Sequence, residues 1–434
     1  MSKSFLLLFF KKEGCSFLKK RTKKLLLVGI RHMLAAAAAV LSAGAALADS
    51  GEYLTRAADC AACHTAPGRA PFTGGRAFKL PVGTLYSPNL TPDMETGVGA
   101  YTDDEWVSAL QRGVGHGGKY LYPAMPYNSY TLMSRADALA IKSYIFSLKP
   151  VHAEVPANKL RFPFNQRWTL WFWNQLNNPG HRFEPAADKS AAWNRGAYLA
   201  QALGHCDQCH TPRNWMQGLK QGRAYAGATQ VGWLAYNITP DKTHGIGAWT
   251  DADLAQYLST GTAPGHGPAS GPMAEAVSNS LRYLTPPDIA AIVTYLRGLA
   301  PQPDGPPAVA AHVTPGAPDP LGAQVFNAAC AGCHLPNGQG RQSAWAALAG
   351  DHSAGDPRGT NMLQILAQGS ELRTKDRLVF MHAFTQSFSD AELAAAANYV
   401  TTAFAGRDSA VTAADVAAAR AEATATSLDL MAGN

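Results

Sequence analysis

The pentapeptide Cys-x-x-Cys-His occurs three times in this 434-residue chain. The copies are Cys60-Ala61-Ala62-Cys63-His64, Cys206-Asp207-Gln208-Cys209-His210 and Cys330-Ala331-Gly332-Cys333-His334, and together they hold six of the seven cysteines. Two thiols two residues apart can each form a thioether to the same porphyrin edge. The histidine that follows at once then lies under the iron as its proximal ligand. The pattern is the attachment signature of c-type haem. Three copies predict three covalently bound haem c groups, with His64, His210 and His334 on the irons, and make electron transfer the first hypothesis. Structural zinc fits poorly, because a tetrahedral site gathers four ligands, whereas here each pair is more than a hundred residues from the next. A thioredoxin-like centre would need a βαβ setting, and the flanks read as helix and loop.

Residues 1–48 read as an export signal. Lys19, Lys20, Arg21, Lys23 and Lys24 form its basic front, Leu34 to Leu47 its apolar stretch, and Ala46-Leu47-Ala48 a small-residue cleavage site. The apolar run is short for a membrane span. The leader carries nine of the 37 Lys and Arg and one of the 31 Asp and Glu, so the rest of the chain has 28 basic and 30 acidic residues. The basic balance belongs to the leader, and nothing points to nucleic-acid binding. Export also suits the cysteines: thioethers would consume the six that an oxidising compartment would otherwise pair, and Cys15 leaves with the leader.

The first two motifs head long repeats. Asn89-Leu90-Thr91-Pro92 recurs as Asn237-Ile238-Thr239-Pro240, and Gly97-Val98-Gly99-Ala100-Tyr101-Thr102-Asp103 as Gly245-Ile246-Gly247-Ala248-Trp249-Thr250-Asp251, each at an offset of 148. A helix follows in both and ends at Gly113 and Gly261, residues suited to a C-cap. Met125 and Met273 come twelve residues after those glycines, and Met381 comes twelve after Gly369. A thioether is the expected distal ligand of a His/Met cytochrome c, so Met125, Met273 and Met381 are the candidate second iron ligands. His382 is a rival to Met381. Pro67, Pro212 and Pro336 are candidates to offer a carbonyl to the proximal imidazoles, or else simple turn residues.

Each repeat reads as helix, motif, loop, helix, methionine loop, helix. The closing helices are expected over Ala136–Leu148, Pro287–Leu299 and Asp390–Phe404, with Ser134, Thr285 and Ser389 as N-caps. No alternating strand pattern is visible, so the fold class is expected to be all-α, as three tandem class I cytochrome c-like domains. The divisions are a signal peptide 1–48, domain 1 at 49–155, a Trp-rich connector at 156–190, domain 2 at 191–300, a Pro-rich linker at 301–320, domain 3 at 321–407 and a tail at 408–434. The linker holds seven prolines, which predicts a stiff tether and a loosely held third domain. The connector contains Trp168, Trp171 and Trp173. It reads either as a surface for membrane, quinone or partner, or as packing between domains.

These features resemble the tri-haem cytochrome c subunit of membrane-bound sugar and alcohol dehydrogenases of proteobacteria, the group of gluconate, sorbitol, fructose and quinoprotein alcohol dehydrogenases. The stretches that carry the resemblance are Ala58-Asp59-Cys60-Ala61-Ala62-Cys63-His64-Thr65, Tyr122-Pro123-Ala124-Met125-Pro126-Tyr127, His210-Thr211-Pro212-Arg213-Asn214 and Gly271-Pro272-Met273-Ala274-Glu275-Ala276. Met381-His382 departs from the Met-Pro of the family. The resemblance implies a non-catalytic subunit at the periplasmic face of the inner membrane. It implies a flavoprotein or pyrroloquinoline-quinone partner that oxidises the substrate, and ubiquinone as the electron acceptor. Two other readings stay open: electron delivery to a terminal oxidase, and a multihaem enzyme with an open iron site.

Overall fold

The computed structural model describes residues 50–304, 319–341 and 344–431. The expected leader, Cys15 and the stretch 305–318 of the expected linker lie outside the described residues. One helix crossing occurs three times. The helix before each motif (50–57, Ala191–Tyr198 and Pro320–Val325) lies against the closing helix of its repeat (Arg135–Ser147, Pro286–Arg297 and Asp390–Ala405). The contact point is a glycine on a carbonyl. A Cβ on Gly51 would stand 2.0 Å from the oxygen of Ala140, one on Gly196 1.9 Å from that of Ala291, and one on Gly322 2.1 Å from that of Ala395. Any side chain there would push the two backbones apart. Tyr144, Tyr295 and Tyr399 each lie one turn further along the closing helix and flank the crossing.

Local chemistry sets the helix ends. Ser134, Thr285 and Ser389 accept the N–H groups of Asp137, Asp288 and Glu392, as an N-cap does. Thr102 with Glu105, and Thr250 with Asp253, form reciprocal capping boxes on Asp103–Arg112 and Asp251–Thr260. Gly113 and Gly261 close those two helices in the left-handed conformation that glycine adopts without a steric cost.

The all-α expectation does not hold. Among the described residues, seven strands form three small antiparallel sheets. Strands β1 (Ala77–Leu80), β2 (Gly83–Tyr86) and β3 (Lys159–Leu160) make one sheet, β4 (Ala228–Gln230) and β5 (Trp233–Ala235) a second, and β6 (Ser370–Arg373) and β7 (Leu378–Met381) a third. These strands are two to four residues long, too short for an alternating pattern to rise above chance. No residue of β1 is fully buried, so the strand has no alternation to display.

Tandem separation also fails to describe the packing. One hydrophobic cluster runs from Leu54 through Ile145 and on through Ala197 to Leu296. Asp288 binds Arg195 through both carboxylate oxygens, at 2.8 and 2.6 Å, and also accepts the Tyr53 hydroxyl. The third repeat is built around Phe326, which is fully buried and rings with Tyr399 and Phe404 at 5.2 Å each. It is held firmly to the second. Asn361 accepts from the Leu234 N–H and donates to its carbonyl, at 2.7 and 3.0 Å, while Arg282 donates to the Thr374 carbonyl. The expectation of a loosely held third repeat is therefore corrected: buried polar pairs fix it in place. The tail forms a helix over Ala413–Met431 that buries Val416, Ala419 and Ala423, with Arg420 bound to Asp390.

Candidate functional site

Each motif forms a short helical turn, at Cys60–His64, Asp207–His210 and Ala331–His334. A turn of helix sets both thiols and the imidazole on neighbouring positions. Asp59 and His205, immediately before the first two motifs, take positive φ values of 52° and 38°. That break redirects the chain from the preceding helix into the motif. The six cysteines are free thiols. Burial pushes Cys60, Cys63 and Cys206 up to about 12 and Cys330 up to about 11. No group of three or more His, Cys, Asp or Glu among the described residues is placed to hold a metal ion by itself.

All three histidines share one arrangement. His64 Nδ1 lies 2.9 Å from the Pro88 carbonyl oxygen, His210 Nδ1 2.6 Å from that of Tyr236, and His334 Nδ1 2.8 Å from that of Ala346. A carbonyl can only accept, so Nδ1 carries the proton and Nε2 keeps its lone pair for a metal. Burial lowers the pKa of all three rings, favouring the neutral form that ligates. This donor set fits haem c: two unpaired thiols and one oriented, neutral imidazole in each copy.

The carbonyls do not come from Pro67, Pro212 or Pro336. They come from residues 24, 26 and 12 positions after the histidine. In the first two repeats the next residue is the asparagine of the repeated Asn-x-Thr-Pro. Asn89 Oδ1 accepts from the backbone N–H and hydroxyl of Thr91, and Nδ2 donates to the Val151 carbonyl and Thr96 Oγ1. Asn237 does the same with Thr239 and with the carbonyls of Gln302 and Asp304. These buried asparagines pin the segment that orients the histidine. The sequence displayed them as a repeat, but the partner lay too far along the chain to be read.

The three methionines share a spacing but not a local structure. Met125 lies in a loop, Met273 in the helix Gly271–Asn279, and Met381 at the end of β7. All three are half-buried. Met125 packs on the same cluster as Cys60, and Met381 on the same cluster as Cys330. Met273 belongs with Leu372 and Trp345, a cluster apart from that of Cys206. His382 is exposed and rests on Phe380, with ring centres 4.9 Å apart.

The first and second sites are linked electrostatically. Arg76 donates to the Ala62 carbonyl inside the first motif and to both carboxylate oxygens of Glu275, two residues beyond Met273. Asp59 stands beside this pair with a buried, unpartnered Oδ1. Burial, reinforced by Glu275, raises its pKa well above the usual carboxylate range.

Residues 321–404 match the family described as Cytochrome c. The match covers the third repeat alone. Over its length the chain is 36% identical to the fructose dehydrogenase cytochrome subunit of Gluconobacter japonicus, across 86% of this chain and 82% of that one. It is 34% identical to the gluconate 2-dehydrogenase cytochrome c subunit of Pantoea cypripedii, across 93% and 96%. It is also 38% identical to a nicotinate dehydrogenase subunit of Pseudomonas putida, across 82% of this chain but only 30% of that protein. The oriented histidines, the free thiol pairs and this full-length similarity agree, and the chain belongs to the family of cytochrome c subunits of fructose, gluconate and quinone alcohol dehydrogenases.

Proposed function

We propose that the chain holds three haem c groups and passes electrons from a dehydrogenase subunit to ubiquinone at the periplasmic face of the inner membrane. The partner carries a flavin or pyrroloquinoline quinone and oxidises a sugar or alcohol, and residues 1–48 act as the export signal. The observation that carries the haem count is the threefold Nδ1–H to carbonyl bond, which frees Nε2 in every copy. Haem c supplies one-electron chemistry between ferric and ferrous iron. The chain's own residues anchor that group through the six cysteines and hold His64, His210 and His334 in one tautomer. Met125, Met273 and Met381 would be the second ligands to the irons. Substrate oxidation releases two electrons and ubiquinone takes up two, so the electron count balances over one turnover.

Mass spectrometry and redox titration test this reading. The purified chain should carry three haem masses, and a Cys60→Ala, Cys63→Ala variant should carry two. Met125→Ala should lower one potential by a sizeable part of the ~0.8 V range that axial ligands command, and should remove one Met–iron absorption band. Met381→Ala should do the same for another haem, while His382→Ala leaves the bands intact. Carbon monoxide binding to every haem of the unmodified, reduced chain would instead favour an open-site enzyme.

A further inference from the structure

The connector helix Thr169–Asn177 sends one face inward and leaves the other bare. Leu170 is buried, and Trp173 sets its ring edge-to-face against Tyr127 and donates to the Met216 carbonyl. On the outer side Trp168, Phe172 and Leu176 recur every four residues, which places them on one stripe, and Trp171 packs on Phe172 with ring centres 4.8 Å apart. Trp168 and Leu176 are 64% and 69% exposed. Phe162, before the helix, is 79% exposed. Single exposed apolar residues are ordinary; large aromatics gathered on one surface mark a surface that is covered in use.

The surrounding charge identifies the cover. The stretches 112–134 and 155–183 contain Arg112, Lys119, Lys159, Arg161, Arg167 and Arg182, and no Asp or Glu. They adjoin one another: Arg167 donates to the Tyr120 carbonyl, Asn174 to that of Arg112, and Tyr122 to that of Phe164. The described chain has no helix long and apolar enough to cross a membrane. Tryptophan, phenylalanine and leucine inside a cationic rim are the chemistry of an interfacial segment that wedges between anionic headgroups. We infer that this aromatic face is a membrane-contact surface that inserts into one leaflet of an anionic bilayer. It is fastened to the loop that bears Met125, so the first repeat is the part of the chain that meets lipid. The link to quinone reduction rests on the function proposed above; the lipid contact does not.

Vesicle flotation of the haem-loaded full chain tests the contact without dehydrogenase or quinone, so its result is separate from the electron-transfer reading. The chain should float with phosphatidylethanolamine–phosphatidylglycerol vesicles and much less with phosphatidylcholine alone. Replacing the stripe (Trp168→Ser, Phe172→Ser, Leu176→Ser) should weaken binding about tenfold or more, with the haem spectrum unchanged. The charge reversal Lys119→Glu, Arg161→Glu keeps every apolar contact and should abolish the preference for anionic lipid. Equal flotation of the stripe variant and the parent overturns the inference. So does a parent that ignores vesicles while a purified dehydrogenase subunit shields Trp168 from oxidation, which would assign the face to a protein.

Discussion

At the scale of single residues, the most informative side chain is Asn89. It lies outside the haem motif, yet its four hydrogen bonds hold the turn whose carbonyl fixes His64. Asn89→Ala should destabilise the protein by about 2–3 kcal/mol, because buried partners are left unpaired. It should also raise one haem potential by on the order of tens of millivolts, since an imidazole that no longer donates from Nδ1 pushes less charge onto iron. A potential that stays fixed while stability falls would show a purely structural role. The candidate proximal histidines and the thiols were legible because their chemistry is written within five consecutive residues. The carbonyls from Pro88, Tyr236 and Ala346 were not, because a backbone oxygen leaves no mark on the sequence and any residue can supply one.

At the scale of elements, the glycine crossings govern the architecture. Gly196→Ala would place a methyl group 1.9 Å from the Ala291 oxygen, and should cost roughly 3 kcal/mol or more in a denaturant melt. Gly222→Ala, with nothing within 4 Å of the new methyl group, should change little. Helices and their caps were readable: the expected N-caps Ser134, Thr285 and Ser389 all cap, and Gly113 and Gly261 both terminate helices. Strands were not readable, because pairs such as β4 and β5 depend on partners across a turn and offer only three residues each. The shared count of twelve from glycine to methionine likewise concealed three different conformations, since spacing constrains reach and not path.

At the scale of the whole molecule, the junction of the second and third repeats makes stability depend on pH. Gly267 lies so near Asp351 that a Cβ there would be 2.6 Å from the Asp351 Cβ, and His352 rings with Tyr236 at 4.8 Å. Burial pushes Asp351 up to about 7 and His352 down to about 4. The folded chain therefore keeps a proton on Asp351 that the unfolded chain has lost, and stability from this group falls as pH rises from about 4 to 7. His352 acts in the opposite sense, costing stability as pH falls through its unfolded value. Relative to the parent, Asp351→Asn should gain roughly 3–4 kcal/mol between pH 4 and pH 8, measured by urea melts at both; a constant difference would refute the assignment. The shared core of the first two repeats has a consequence for biogenesis. Leu54, Ile141 and Ile145 belong to the same buried cluster as Leu199, Leu203 and Leu296. A chain synthesised from its N-terminus cannot complete this shared cluster until residue 296 has been made.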